Sequence, residues 1–199
     1  EEKRQGEFFP VYEDEKGTYI LNSKDLCMID FIDKAAEAGI TSFKIEGRAK
    51  SSYYVSVITN AYRLAINCYK NNPDSFKLPD WVREEVFKVS HRNYCTGFFF
   101  GHPKDCQYYE NSGYIRNYDV VAVIDRCEND NIYAVQRNKF SVGDEVEILS
   151  PGKKPIAMII NKLYNEFDEE IESACHETMK LRISSELVFE KNSIIRIKK

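Results

Sequence analysis

The organisation of this chain is decided by residues 39–50, which read G-I-T-S-F-K-I-E-G-R-A-K. After the glycine the pattern alternates as in a β-strand, with Phe43 and Ile45 on one face and two charged residues on the other. A strand between two helices is normally buried on both faces, and buried charges are costly unless they are paired or put to use. Lys44 and Glu46 therefore either line a polar cavity or form a surface ion pair on a half-exposed strand.

The segment before this stretch predicts a strand and a helix. Residues 17–21 are rich in β-branched and aromatic side chains, which favour a strand. Asn22 or Ser23 is suited to cap a helix, and Asp25 follows in the first turn, where a carboxylate favours the helix dipole. We expect this helix to run to about residue 38 and to stop at Gly39.

The segment after it predicts a second helix, capped by Ser51 or Ser52 and ending near residues 71–73. The order strand, helix, strand, helix is typical of parallel sheets. Because two strands cannot make a stable sheet alone, we expect residues 1–72 to be the C-terminal part of a TIM-type α/β barrel.

The strand ends predict a shared polar site, because ligands bind at the carboxyl ends of strands in such folds. Here those ends are residues 21–25 and 46–48. Arg48 can hold a carboxylate with two parallel hydrogen bonds, and Glu46 can orient a neighbouring cation or act as a base. We predict as catalytic residues Lys44, Glu46 and Arg48, and as substrate-binding residues Asn22, Lys24, Asp25, Lys50, Tyr53, His91 and Arg92.

Residues 73–115 predict a helical linker and an aromatic loop, with a short helix over residues 80–89. Three consecutive phenylalanines at 98–100 stand between glycines, and we expect them to plug an interdomain seam rather than to bind a ligand. His91, beside Arg92, either serves in acid–base chemistry or anion binding, or makes a structural hydrogen bond.

Residues 116–199 have the periodicity of strands. Six runs rich in Val and Ile are separated by turn residues, and they cover 120–124, 132–135, 145–149, 156–160, 178–183 and 193–197. Six short antiparallel strands fit a small closed β-barrel, a fold that often docks partners or nucleic acid. The basic residues of this part are interleaved with acids, which favours a solvated surface of mixed charge.

The composition bounds the class of protein. A formal net charge of −4 argues against a protein that binds polyanions through bulk charge, but a local basic patch stays open. Six cysteines without C-x-x-C spacing give no self-contained zinc site, and their low density predicts reduced thiols in a cytoplasm. No apolar run would span a membrane, and no signal peptide is present. Since the chain begins without methionine, we expect a fragment whose upstream part is missing.

Four motifs in this order resemble the C-terminal half of peptidase family U-32, the collagenase-like proteases that include the tRNA hydroxylation protein P group. The motifs are G-T-Y-I-L-N-S-K-D-L at 17–26, K-I-E-G-R-x-K-S-x-Y-Y at 44–54, S-H-R-x-Y-x-T-G-F at 90–98 and R-N-K-F-S-V-G-D at 137–144. They span most of the chain. The resemblance implies the end of a TIM-type barrel followed by a small C-terminal β-barrel.

The same resemblance implies a chemistry. The tRNA hydroxylation group makes 5-hydroxyuridine at the wobble position, with prephenate implicated as a small anionic substrate and a 4Fe-4S cluster bound by cysteines. Most of those cysteines would lie upstream of this chain, so the chain alone should be inactive. Cys27 is then either a last cluster ligand or a core residue.

Two other functions stay open. A protease needs a nucleophile, a base and an oxyanion hole, yet no Ser or Cys is paired with His91, His102 or His176, and no H-E-x-x-H is present. The third possibility is a non-catalytic module in which residues 116–199 bind RNA or a partner protein.

Overall fold

The computed structural model describes residues 5–6, 11–15, 17–19, 23–102, 106–107 and 113–199. The first half contains β1 (Tyr12–Asp14), β2 (Gly17–Tyr19), β3 (Asp25–Leu26), α1 (Ile32–Glu37), α2 (Ser52–Asn71), α3 (Asp80–Glu85) and β4 (Tyr94–Cys95). The second half contains β5 (Tyr118–Glu128), β6 (Asn131–Gln136), β7 (Phe140–Ser141), β8 (Glu145–Leu149), β9 (Ile156–Ile159), β10 (Leu163–Tyr164), β11 (Ser173–Ala174), β12 (Lys180–Ser184) and β13 (Ile194–Lys198). Within these residues no helix is long and apolar enough to cross a membrane.

The first α-helix, α1, begins later than the sequence predicts and has only six residues. Asp25, expected in its first turn, belongs instead to β3, which pairs in parallel with β4. Ser23 forms an isolated bridge with Gln107, and the other predicted cap, Asn22, lies outside the described residues. A 3-10 turn at Ile29–Phe31 then leads into α1. The predicted helix start was wrong because β3 is stabilised by a partner strand about 70 residues further along the chain. Capping residues indicate only local structure and give no sign of such a distant partner.

Two helix ends agree with the sequence. Gly39 follows α1 with a φ of +86°, a conformation that glycine adopts without steric cost, and its N–H donates to the carbonyl of Ala36. Ser51 caps α2, since its side chain accepts a hydrogen bond from the N–H of Tyr54 at 3.2 Å. The chain then leaves α2 at Asn72, as predicted.

The stretch at 40–47 is extended but forms no strand within the described part of the chain. The alternation is confirmed, because Phe43 and Ile45 pack against the core while Lys44 and Glu46 are exposed. The predicted strand is wrong. Parallel pairing in the described residues is limited to β3 and β4, two residues each, so a TIM-type barrel is not shown.

Helix α2 carries the core of the first half. Val57, Ala61 and Ala65 lie on one side of the helix because they are spaced by four residues, about one helical turn, and all three are fully buried. This side packs against the segment around α1 and against α3 and the turn that follows it, in a cluster that also contains Ile29, Ile32, Ile58, Leu78, Val82, Val86, Val89 and Leu149. Since Leu149 belongs to β8, the same core joins the two halves of the chain.

The second half is one curled antiparallel sheet of seven strands, in the order β10-β12-β6-β5-β13-β8-β9. All six predicted runs become strands of this sheet. Register irregularities interrupt the pairing of β5 with β6 and of β5 with β13, and such bulges bend a sheet. The edge strands β9 and β10 do not pair with each other among the described residues, so the sheet is a half-barrel and the predicted closed barrel is not formed.

A buried ion cluster joins the helical half to the sheet. Arg196 of β13 donates two hydrogen bonds to Glu85 of α3, at 2.8 and 2.7 Å, and two more to Glu147 of β8. Lys88 donates to both oxygens of Glu147 at 3.0 and 2.9 Å. The side chains of Arg196 and Glu85 are 0% and 1% exposed. We call these four residues the buried clamp.

The three phenylalanines at 98–100 do not plug a seam. They lie in a turn flanked by Gly97 and Gly101, both with positive φ, and they are 73%, 38% and 59% exposed. Two of them contact Phe31, with ring centroids at 6.4 Å for Phe99 and 4.9 Å for Phe100. The prediction was wrong because the seam is occupied by the clamp and by Leu149 instead.

Candidate functional site

Lys50 is the centre of a polar corner where β3, the start of α2 and the segment after α3 meet. Its ammonium group lies 3.3 Å from Oδ2 of Asp25 and 3.4 Å from the carbonyl oxygen of Ser90. It also lies over the rings of Tyr54 and Tyr114, at 5.0 and 4.3 Å from their centroids. The structure therefore brings together two predicted substrate-binding residues, Lys50 and Asp25, that are 25 positions apart.

Arg92 adds a second cation to this corner. Its backbone N–H donates to Oδ2 of Asp25 at 3.1 Å, and its guanidinium donates to the carbonyl of Ser23 at 3.2 Å. The guanidinium carbon lies 5.1 Å from the ring of Tyr114. Nε of Arg92 is buried without a hydrogen-bond partner in the described part of the chain. The Asp25 carboxylate thus pairs with the Lys50 ammonium group, while the guanidinium of Arg92 forms no ion pair within the described residues.

The three predicted catalytic residues lie in the segment that leads into the turn before α2. Lys44, Glu46 and Arg48 are exposed, and a carboxylate oxygen of Glu46 accepts the backbone N–H of Arg48 at 2.8 Å. The N–H of Lys50 donates to the carbonyl of Gly47, which closes a turn ahead of α2. None of the three is in contact with the Lys50 corner through a hydrogen bond or ion pair among the described residues. Their catalytic role stays a prediction.

Gly47 is not selected by its backbone conformation, because its φ is not in the left-handed region. A Cβ at this position would instead lie 2.7 Å from Cγ2 of Val55 on α2. Close packing of the turn against the helix is therefore what selects glycine here.

His91 has a structural role. It is 3% exposed, its Nδ1 donates to the carbonyl of Arg92 at 2.6 Å, and its ring stacks on Tyr94 with centroids 4.6 Å apart. Its backbone pairs with Ile115 in an isolated bridge. Of the alternatives that the sequence left open, the geometry favours the structural hydrogen bond over acid–base chemistry.

Tyr53 contacts the buried clamp rather than the Lys50 corner. Its hydroxyl donates to the carbonyl of Lys88 at 2.8 Å and accepts a hydrogen bond from Arg196 at 3.3 Å. Burial is the main cause that raises the pKa of Tyr53 to about 12, and the charge of Arg196 opposes it. Lys24, also predicted to bind substrate, has its N–H bonded to the carbonyl of Cys106 at 2.9 Å. Asn22 is outside the described residues.

Cys27 is half-buried beside Tyr62, whose hydroxyl donates to its sulfur at 3.8 Å. Burial raises the pKa of the Cys27 thiol, and a hydrogen bond with the backbone of Ile29 partly offsets this effect. A cluster ligand must be a thiolate, and the role of Cys27 as a ligand stays a prediction. No group of three or more potential metal ligands occurs in the described residues. The residues described here therefore do not fit a 4Fe-4S cluster by themselves.

A groove beside the Lys50 corner is the feature that the site prediction missed. It has a volume of about 700 Å³ and lies between the first turn of α2 and the outer part of the sheet. Lys50 contributes to its lining, and so do Arg116 and Arg137. Arg137 is the first residue of the fourth motif, R-N-K-F-S-V-G-D, and its place in this motif could have suggested a functional role. Arg116 had no comparable signal.

The comparisons with known proteins define the family. The model of peptidase family U32 matches residues 1–108, more than half of the chain, and that of the peptidase family U32 C-terminal domain matches residues 116–196. This chain therefore belongs to peptidase family U32, as its motifs indicated.

Three relatives illustrate the range of the family. The chain is 33% identical to tRNA hydroxylation protein P1 of Bacillus subtilis over 169 residues, which is 83% of this chain and 40% of that protein. It is 36% identical to tRNA hydroxylation protein P of Escherichia coli over 155 residues, 76% of this chain and 33% of that one. It is 37% identical to a collagenase of Porphyromonas gingivalis over 89 residues, 44% of this chain and 24% of that one. The chain spans less than half the length of each of these relatives.

Proposed function

We propose that this chain is the C-terminal portion of a U32 family protein that acts in the hydroxylation of tRNA at the wobble uridine. The observation that carries the proposal is the extent of the similarity. The matches to tRNA hydroxylation proteins of B. subtilis and E. coli run over 155–169 residues and must enter both halves of the chain, whereas the match to the collagenase ends after 89.

The geometry agrees with an anion-binding role. In the Lys50 corner the ammonium group of Lys50 pairs with Asp25, and the guanidinium of Arg92 donates to the carbonyl of Ser23. Lys44 and Arg48 are exposed in the segment that precedes Lys50. Such a surface can receive a small anion such as prephenate or an RNA phosphate. A 4Fe-4S cluster, when present, would supply electron transfer, and its ligands would come mainly from cysteines beyond those described here. A tRNA substrate would place the protein in the cytoplasm.

The alternative is a protease, favoured by the similarity to the collagenase. The described residues offer it little support, because the one buried histidine, His91, is held between Tyr94 and the carbonyl of Arg92. That ring has no serine or cysteine hydrogen-bonded to it in the described part of the chain. Acyl transfer needs such a nucleophile–base pair.

The test is complementation in B. subtilis that lacks both tRNA hydroxylation proteins P1 and P2. The complete gene that encodes this chain should restore 5-hydroxyuridine in tRNA, measured by mass spectrometry of nucleosides. The variant Arg48→Ala should restore little or none, because the predicted anion grip is lost. Arg63→Ala removes an exposed arginine further along α2 and should restore as well as wild type.

Each outcome has a separate meaning. Failure of the wild-type gene to restore the nucleoside would remove the proposed function. Normal restoration by Arg48→Ala would keep the function and reject this residue as part of the site. Cleavage of collagen by the purified gene product, at a rate that increases with its concentration and survives inhibitors of common contaminating proteases, would favour the alternative.

A further inference from the structure

The groove between α2 and the sheet has an unusual distribution of charge. Its cations sit on different walls: Lys50 at the start of α2, Arg116 on the segment before β5, and Arg137 after β6. The carboxylate in its lining, Asp119, is paired with Lys199 at 3.1 Å. Because the whole chain carries a formal net charge of −4, this positive groove is a local feature and not a result of bulk composition.

Two of these cations are available to a ligand. Arg116 and Arg137 are both exposed. Within the described residues, the guanidinium of Arg116 makes one hydrogen bond, from Nε to the hydroxyl of Ser90 at 3.2 Å, and its other N–H groups can donate to an anion. The side chain of Arg137 makes no hydrogen bond or ion pair within the described residues. Arginine donors in a planar fork match the oxygens of a phosphate.

The first turn of α2 adds a second source of positive potential on one wall. The wall contains Ser51, Ser52 and Ser56, and the Ser51 hydroxyl is already used to cap the N–H of Tyr54. The preceding N–H groups of the turn have no partner inside the helix. In a helix of 20 residues, these groups and the hydroxyls of Ser52 and Ser56 favour a phosphate over an uncharged ligand.

Aromatic rings are interleaved with these cations. Tyr114 is 41% exposed, and Lys50 and Arg92 hold its ring through contacts at 4.3 and 5.1 Å. Tyr54 lies nearby and also contacts Lys50. A positively charged groove that tracks a backbone, combined with rings on which bases can stack, is the arrangement that proteins use to bind single-stranded nucleic acid.

The buried clamp fixes the spacing of the two walls. Tyr53, in the wall formed by α2, is hydrogen-bonded to Arg196, and Tyr118, in the wall formed by the sheet, lies 5.3 Å from the Arg196 guanidinium. The groove is therefore held open by a rigid element and is present before a ligand binds. Preorganisation of this kind lowers the cost of binding.

We propose that this groove binds a single-stranded segment of the tRNA substrate, with phosphates held by Arg116 and Arg137 and a base stacked on Tyr114. A single small carboxylate would need one cluster of donors, whereas cations on separate walls suit a chain of phosphates. The proposal rests on the proposed function for the identity of the RNA. It assigns RNA binding to residues outside the predicted catalytic set.

The test measures binding of labelled oligouridine to the 199-residue chain by fluorescence anisotropy at several salt concentrations. The double variant Arg116→Ala/Arg137→Ala should bind oligouridine about tenfold or more weakly. The slope of the logarithm of the binding constant against the logarithm of the salt concentration should fall by about 1.4, because each phosphate contact to a single strand contributes about 0.7. The control, Lys154→Ala/Lys162→Ala, removes two exposed lysines outside the groove and should leave affinity and slope unchanged. Circular dichroism confirms that both variants are folded.

The aromatic part is tested separately. Tyr114→Ala should weaken binding of oligouridine severalfold more than binding of inorganic polyphosphate, since only the nucleic acid offers bases to stack. Equal losses for the two probes would reject base stacking. An unchanged affinity and slope in the arginine double variant, or no binding of RNA to the wild-type chain at low salt, would overturn the groove assignment.

The two proposals fail in different ways. If the wild-type gene restores hydroxyuridine in cells and the arginine double variant restores it equally well with normal tRNA affinity, the groove assignment is wrong and the proposed function stands. If the wild-type gene restores none but the chain binds RNA through the groove, the proposed function is wrong and the binding site stands.

Discussion

Loss of Arg196 should destabilise the protein more than any single surface change. Its guanidinium is fully buried and makes four hydrogen bonds to Glu85 and Glu147. Burial alone would lower its pKa, but the bonds with Glu85 and the charges around it raise the pKa instead, so the group is charged throughout the stable range of the protein. Arg196→Met keeps an unbranched apolar stem but removes the charged guanidinium, so Glu85 stays buried without its two hydrogen bonds to Arg196.

The expected loss in the free energy of unfolding depends on which partners Glu85 keeps when Arg196 is replaced. Removing one member of a buried ion pair costs about 3–5 kcal/mol. Lys88 still lies 3.3 Å from Glu85 and compensates part of the stranded charge, so we expect the lower end, about 3 kcal/mol. For a chain of this size that corresponds to a fall of about 6–12 °C in Tm. Urea unfolding followed by circular dichroism, together with calorimetry, measures both quantities.

A double-mutant cycle tests the physical reason. Arg196→Met combined with Glu85→Leu removes both charges, and Glu147 keeps its partner Lys88 at 2.9 Å. The double variant should therefore be more stable than Arg196→Met alone, because no buried charge is left unpaired. The control Arg126→Met breaks an exposed pair with Glu128 and should change stability little. Additive effects in the cycle, or a loss below about 1 kcal/mol for Arg196→Met, would refute the account of the clamp.

Three further predictions concern single side chains. Gly47→Ala should lower stability by about 1 kcal/mol in urea unfolding, because its Cβ would meet Val55 at 2.7 Å, and Val55→Ala should suppress the loss; an equal loss in both backgrounds would contradict the packing argument. Cys27 should react with iodoacetamide more slowly than the exposed Cys175, because burial raises its pKa and limits access; mass spectrometry of labelled peptides shows the order, and labelling of Cys27 first would contradict it. Tyr53 has a folded pKa of about 12, above its unfolded value, so its contribution to stability is complete below pH 10 and lost as the pH rises to 12. Wild type should therefore lose more Tm than Tyr53→Phe over that interval, and parallel curves would contradict it.

The strands of the second half and the helix ends were the most predictable features. Five of the six runs alternate or are continuously apolar over four or more residues, the run at 193–197 being the exception, and a period of two is a local property of the sequence. The caps at Gly39 and Ser51 depend only on neighbours within one helical turn. The half-barrel, in contrast, depends on whether two edge strands meet, and no local pattern in β9 or β10 indicates that they do not pair in the described residues.

The candidate site was predictable only in part. Asp25, Lys50 and the backbone of Arg92 meet at one corner, and Asp25 belongs to a short strand and not to a helix. The predicted convergence of residues 21–25 with residues 46–48 stays a prediction. The three residues at 44–48 share the charged face that the alternation predicted, but that face is exposed here. Arg116 and the clamp were missed, because charges far apart in sequence reveal their partners only in the folded chain.

The sequence by itself determined the strands of the second half, the helix ends at Gly39 and Ser51, and through four motifs the family of the chain. These properties depend on side-chain period, on capping and on local turn chemistry, all of which act within a few residues. Only the tertiary structure decided that Arg196 of the last strand pairs with Glu85, which is 111 residues away in the sequence. It also decided that Lys50, at the end of the stretch 39–50, lines the same groove as Arg116 and Arg137. The physical reason is that a buried charge is stable only when an opposite charge lies beside it. Which residues lie beside each other is set by the packing of the folded chain and not by their distance in the sequence.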